Sequence, residues 1–346
     1  MKTSDFDYSL PPEFIAQTPA EPRDWSRLMV VRRSDGSIEH HRFFEIVDFL
    51  RPTDVLVLND TRVIPARLKG QKSSRGKVEI LLLRHLEPGL WEALVKPSKR
   101  IAVGEKVELV STRPDARRQS AVVEVLDRKE EGVRVVRFAD EAVVETMGQI
   151  PLPPYIRDYR GDRERYQTVY STEKGSVAAP TAGLHFTAGL LTRIREMGID
   201  LVFVTLHVGL DTFRPIREED PQQHRIHREY GMVSPQAADR LTRARTEGHR
   251  IVCVGTTAVR LLEQAALSSQ NTGGVKPFQG WVDLFILPGH RFRLVDAMLT
   301  NFHLPRSTLL MLVSAFGGND LIRRAYQEAI RERYRFYSFG DAMLIV

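Results

Sequence analysis

Val55-Leu56-Val57-Leu58-Asn59-Asp60-Thr61-Arg62 is an apolar run of strand length that ends abruptly in residues able to do chemistry. The pattern recurs where Leu201-Val202-Phe203-Val204-Thr205-Leu206 meets His207-Val208-Gly209, and where Ile251-Val252-Cys253-Val254 meets Gly255-Thr256-Thr257. Strands of a parallel sheet are covered on both faces and read as continuous apolar runs, and open α/β sheets bind ligands beyond the carboxyl ends of their strands. Helices are signalled between the runs. Thr187 is placed to cap one that stops near Gly198, and Ser234-Pro235 to start another that stops at Gly248. Helix followed by strand, twice over, predicts an α/β fold with a mostly parallel sheet, flanking helices and a site at the polar tails.

Residues 66–155 have a different texture. Short β-rich segments, Lys77 to Leu83, Trp91 to Lys96, Val107 to Val110, Ala121 to Leu126 and Val133 to Phe138, are separated by Gly76, Pro88-Gly89, Pro97, Gly104, Pro114 and Gly132. Such spacing suggests a small barrel or sandwich, closed by the stiff exit Ile150-Pro151-Leu152-Pro153-Pro154-Tyr155. The expected organisation is a discontinuous α/β domain, 1–65 and 156–346, interrupted by an inserted β-barrel domain, 66–155. A chain of 346 residues is long enough for both.

The hydrophobic fraction of 42% with 27% charged residues is that of a soluble globular protein. No apolar run approaches the ~20 residues that span a bilayer, and Met1-Lys2-Thr3-Ser4-Asp5 lacks the regions of a signal peptide, so a cytoplasmic protein without a membrane partner is expected. The lone Cys253, inside an apolar strand, can form no internal disulfide and reads as a small buried hydrophobe. Residues 66–155 carry 17 Lys and Arg against 13 Asp and Glu, which is +4 of the net +6. Lys96, Lys99 and Arg100 form one cluster and Arg113, Arg117 and Arg118 another; both fit either solvated faces or contacts to an anionic partner.

Three runs carry chemistry. Ala178-Ala179-Pro180-Thr181-Ala182-Gly183-Leu184-His185-Phe186-Thr187 places small residues, a hydroxyl and a histidine before a helix N-terminus, either an anion-binding turn or a tight loop leading into the helix. Gly255-Thr256-Thr257, with Arg260 one turn on, also resembles an anion-binding turn, but it is neither a Walker A loop nor G-x-G-x-x-G. Asn301-Phe302-His303-Leu304-Pro305 offers hydrogen-bonding groups, a ring for base stacking and a proline that opens the next helix; Asn301 as a cap and Phe302 as core is the competing reading. His224-Arg225-Ile226-His227 has the spacing of two ligands on one helix face but no third partner, and G-x-S-x-G is absent, so neither a metal site nor a nucleophilic hydrolase is expected.

Taken together these runs resemble one family, the S-adenosylmethionine:tRNA ribosyltransferase-isomerases of queuosine biosynthesis. The resemblance extends from Ser4-Asp5-Phe6-Asp7-Tyr8 through Val57 to Arg67, Tyr166-Gln167-Thr168-Val169-Tyr170, Pro180 to Phe186, Val204 to Gly209 and the Gly255 loop, and on to Tyr337-Ser338-Phe339-Gly340-Asp341-Ala342-Met343. One departure is Asp211-Thr212-Phe213, where many relatives have Gly-Thr-Phe. The resemblance implies an α/β domain with an inserted β-barrel. It also implies transfer and isomerisation of the ribosyl part of S-adenosylmethionine onto 7-aminomethyl-7-deazaguanine in the tRNA anticodon, giving epoxyqueuosine, adenine and methionine. The expected partners are S-adenosylmethionine as co-substrate, with no prosthetic group, and the anticodon stem-loop of a tRNA with a GUN anticodon, bound by a monomer.

That chemistry needs a base beside the sulfonium, a proton donor for departing adenine and an uncharged acceptor amine. Histidine titrates near neutrality, which makes His185, His207 and His303 the candidate acid/base set. Asn59, Asp60 and Asn301 are candidates for ribose hydroxyls or an adenine edge, and Thr256, Thr257 and Arg260 for the methionine carboxylate. Arg62, Thr181, Gly183, Gly209, Gly255 and Phe302 complete the expected S-adenosylmethionine site, and basic residues of the inserted domain and the sheet rim are expected to meet phosphate. The alternatives are a non-catalytic RNA-binding module and a metal-dependent hydrolase.

Overall fold

The computed structural model describes residues 1–110, 121–129, 132–157, 159–209, 216, 218–269 and 274–346. Asp211 and the Arg113, Arg117 and Arg118 cluster lie outside them. The chain divides into two compact units, Met1–Thr61 with Pro153–Glu173 and Ala179–Val346, and Arg62–Leu152 with Lys174–Ala178.

The first unit is built on a nine-stranded sheet. From edge to edge its strands are Phe278–Val282, Glu229–Val233, Asp200–Leu206, Val55–Asn59, Ile251–Val254, Ala297–Asn301, Ala342–Ile345, Arg27–Val31 and Ile38–Arg42. The sheet is mixed. Asp200–Leu206, Val55–Asn59, Ile251–Val254 and Ala297–Asn301 run parallel, in register Leu201 to Leu56, Val252 to Leu56 and Val252 to Ala297, and antiparallel pairs flank them. Parallel direction puts the four carboxyl ends on one edge, so the polar tails Asn59, His207, Gly255 and Asn301 arrive together.

Both faces of these strands are covered. On one face Leu28, Leu56, Leu58, Val252 and Val254 pack with Phe43, Phe186, Leu190 and Ile194. Leu190 and Ile194 belong to the helix Ala188–Glu196, which Thr187 caps by accepting from Leu190 N. The other helices include Pro235–Thr246, capped by Ser234, and Thr256–Ser268, which is buried nearly all round, its Thr256, Thr257, Arg260 and Glu263 included. The expectation that Pro305 opens a helix is corrected. Arg306 has φ 55°, outside the right-handed helical region, and Ser307 instead caps Thr308–Gly317 by accepting from Leu310 N. His224–His227 is likewise not helical, and His224 Nδ1 lies 3.0 Å from Glu218 Oε2.

The second unit is a closed antiparallel barrel of six strands: Arg67–Lys72, Lys77–Glu87, Leu90–Lys96, Lys106–Leu109, Ala121–Arg128 and Val133–Phe138. Its strands alternate. Val78, Ile80 and Leu82, then Trp91, Ala93 and Val95, face inward while their neighbours face out. Lys96, Lys99 and Arg100 are exposed on this unit, to which Arg62 also belongs.

Candidate active site

Beyond the carboxyl ends of the parallel strands lies a pocket of about 590 Å³, part of it open to solvent. Of the expected site residues, Thr181, Gly255, Thr256, Thr257, Asn301, Phe302 and His303 line it. Gly255 turns the chain from strand into helix with φ +89°, a conformation L side chains rarely adopt, which presents Thr256 and Thr257 at the helix start.

Asn59 is fully buried and joins the tails to one another. Its Nδ2 donates to Leu206 O at 3.0 Å and Thr257 Oγ1 at 3.2 Å, and its Oδ1 accepts from Leu206 N at 3.0 Å and Thr61 N at 3.2 Å. An amide has two donors and two lone pairs, so none is left for a ligand. Asp60 accepts from Thr205 Oγ1 at 2.7 Å, and burial raises its pKa.

Asn301 is oriented by Tyr337 O, an acceptor that must face the amide nitrogen, 3.3 Å away. With Nδ2 so placed, Oδ1 accepts from Thr181 Oγ1 at 3.0 Å and Nδ2 also donates to His185 Nε2 at 3.1 Å. His185 is then protonated on Nδ1, which donates to Ser26 Oγ at 2.7 Å. Its ring stacks on Phe43, with centroids 4.9 Å apart. Burial first, and then Arg165, Arg335 and Arg23, pull the His185 pKa down to about 3, so the ring is neutral and both nitrogens are engaged. His185 supports Asn301 from behind the pocket.

His303 does line the pocket. Its backbone is held by Tyr8 Oη, which donates to His303 O, and by its own N–H, which donates to Tyr326 Oη at 2.9 Å. Nε2 lies 2.8 Å from Thr300 Oγ1, Nδ1 has no hydrogen-bond partner among the described residues, and burial lowers the pKa to about 3. His207 follows the Asp200–Leu206 strand with Nδ1 2.8 Å from Thr61 Oγ1; burial lowers its pKa and Glu173 opposes the shift.

Other expected residues do different work. Phe302 is fully buried among Tyr326, Tyr334 and Phe336, with ring centroids 5.1 to 5.4 Å away, so it has no face for a base. The aromatic wall of the pocket is instead Tyr155 against Tyr337, with centroids 4.9 Å apart and Tyr155 Oη 2.6 Å from Ser338 Oγ. Arg260 is not part of the pocket lining. It donates through Nη1 to Glu229, which also accepts from Gly209 N at 2.9 Å, and through Nε to Leu284 O at 3.2 Å. Gly183 is required by packing, since a Cβ there would fall 2.0 Å from Tyr170 Oη. Ser26 and Thr300, which orient two histidines, carry no sequence signal beyond being hydroxyls.

A pocket lined by small residues, threonines, an asparagine, a histidine and aromatic rings lies where four parallel strands end, the place at which α/β proteins bind their ligands. The chain belongs to the queuosine biosynthesis protein family, which it matches over residues 3–345. It is 55% identical to an S-adenosylmethionine:tRNA ribosyltransferase-isomerase of Dehalococcoides mccartyi strain CBDB1 and 51% identical to one of Clostridioides difficile strain 630, each over the whole of both chains. A crystal structure titled as the S-adenosylmethionine tRNA ribosyltransferase of Thermotoga maritima superposes with TM-score 0.57 at 40% identity, covering 99% of this chain and 100% of that one.

Proposed function

We propose that this protein is an S-adenosylmethionine:tRNA ribosyltransferase-isomerase, which moves the ribosyl part of S-adenosylmethionine onto the aminomethyl group of 7-aminomethyl-7-deazaguanine in the anticodon of a GUN tRNA. Epoxyqueuosine in tRNA, adenine and methionine are the products. The observation that carries the reading is the strand-end pocket, whose hydroxyls, helix N-terminus and His303 belong to a chain matched along its length to enzymes of that name. The discontinuous α/β domain performs the chemistry, and the basic faces of the 66–155 domain contribute to RNA binding. The protein acts as a cytoplasmic monomer, without a prosthetic group.

Within the pocket, Thr256 and Thr257 at the start of Thr256–Ser268 receive the methionine carboxylate, a role the buried Arg260–Glu229 pair leaves to them. Tyr155 and Tyr337 give a base its stacking surface. With Nε2–H donated to Thr300, neutral His303 offers the Nδ1 lone pair as the base beside the sulfonium. His207 is the second acid/base candidate, and His185 with Asn59 and Asn301 holds the tails in place. Metal-stripped protein with S-adenosylmethionine and a stem-loop carrying the aminomethyl-deazaguanine tests this. RNA mass gain with stoichiometric adenine is expected; tRNA binding without adenine release would leave the non-catalytic RNA-binding module.

A further inference from the structure

Three short helical turns, Arg23–Trp25, Arg163–Tyr166 and Thr181–His185, pack together in the first unit. Beside them lies a second, shallow cleft, open to solvent, whose walls include Arg23, Ser26, Arg165, His185 and Ser338. Two guanidinium groups meet here, and Arg165 Nε is paired at 2.5 Å with Glu21, whose side chain is 69% exposed. Arg165 Nη2 donates to Ala20 O at 2.6 Å, and Arg23 Nη1 to Gln167 O at 2.8 Å and Leu184 O at 3.3 Å. Arg23 Nε and Nη2 and Arg165 Nη1 have no acceptor among the described residues.

Like charges gathered in a half-buried cleft repel unless an anion joins them. Arg23 registers this, since burial first and then Arg165 draw its pKa down to about 10 although the exposed Glu21 opposes them, and Arg335 places a third positive charge near His185. The cleft is also next to the reaction site. Ser338 lines both cavities, and the hydrogen-bonded series Ser26, His185, Asn301, Thr181 crosses from one to the other.

We infer that the Arg23–Arg165 cleft binds one backbone phosphate of the RNA, the phosphodiester adjoining the nucleotide whose base enters the strand-end pocket. The inference rests on the tRNA reading above. Guanidinium forks match phosphate oxygens in pairs, and a phosphate held one residue from the pocket fixes how far the base is inserted.

The test is a scan of stem-loop RNAs, each with one neutral methylphosphonate near the modified nucleotide, against the native protein, Arg23→Gln and Arg165→Gln. With the native protein, one position should lower kcat/KM roughly tenfold or more, and the others little. Both variants should start about that low with unmodified RNA, keep their KM for S-adenosylmethionine, and ignore the sensitive position. The slope of log KM for RNA against log salt should fall by about 0.7 for the one lost contact. Arg23→Gln also gives up two bonds to carbonyl oxygens, so if it fails to fold, Arg165→Gln and the native scan decide. A flat scan with active native protein overturns the assignment, and thermal protection by inorganic phosphate alone with a flat scan assigns the cleft to free phosphate instead. Native protein that modifies no RNA removes the tRNA reading, and this inference falls with it.

Discussion

The strands Val55–Asn59, Ile251–Val254 and Ala297–Asn301 are buried at every position, whereas Lys77–Glu87, Leu90–Lys96 and Lys106–Leu109 of the barrel bury alternate residues. A strand covered on both faces has no side left for a ligand, so its chemistry is confined to its end; a barrel strand keeps an outer face along its length. Polar residues at the sheet tails are consequently buried and bonded to one another, as Asn59, Thr257, Asn301 and His185 are. On the barrel's outer face Arg84 pairs with Glu92 at 2.8 Å at the edge of solvent, and pairs of that kind add little stability. One substitution should therefore act in different currencies in the two regions, on turnover or hydrogen bonding at the tails and on packing in the barrel.

The widest expected separation is His303→Ala, which should lower kcat by on the order of a hundredfold or more while leaving the unfolding midpoint near its original value. Near-normal turnover would remove His303 from the reaction and make the pocket a binding site alone. Next is Asn59→Ala. It strands several buried partners at once, and urea denaturation should show a loss of about 3 kcal/mol; a loss near zero would mean that the tails hold their places without this amide. Val123→Ala, in the barrel interior, should cost about 2 kcal/mol of stability with kcat for a saturating stem-loop unchanged. A fall in kcat there would break the division between the regions.

The last effect builds up only in acid. His185 titrates at about 3 in the folded protein, against an ordinary value of about 6.5. Between those values the unfolded chain binds a proton that the folded protein refuses, so stability is present above the unfolded pKa and is lost as pH falls through the window, by at most about 1.4 kcal/mol per pH unit. His185→Gln keeps an amide beside Ser26 and Asn301 and should flatten the acid limb of stability by about that slope. Denaturation series at several pH values check this, and equal limbs would assign the acid sensitivity to other groups.

Much of the fold was legible because its signals are local. The apolar runs, the caps Thr187 and Ser234 and the turn glycines Gly89, Gly104 and Gly132 of the barrel segment act over a few residues, and each stands where its chemistry put it. Pro305 misled because a proline is tolerated at a helix start but does not define one, and Ser307 two residues on supplies the cap. In the site, Thr181, Gly255, Asn301 and His303 were readable as strand and turn ends. Arg260 and Phe302 were not, because their surroundings come from far along the chain. Glu229 stands 31 residues before Arg260, and the rings around Phe302 come from Tyr326 onward.

By itself the sequence determined which residue types stand at the ends of which strands, since a continuous apolar run followed by hydroxyl, amide or imidazole is a property of consecutive residues. Only the tertiary structure decided what each of those groups is free to do. His185 is bonded to Ser26 across 159 residues and to Asn301 across 116, while His303, at the pocket wall, has no partner for Nδ1 among the described residues. Imidazole chemistry depends on burial and on which ring nitrogen is already engaged, and both are set by packing between segments that no local pattern connects.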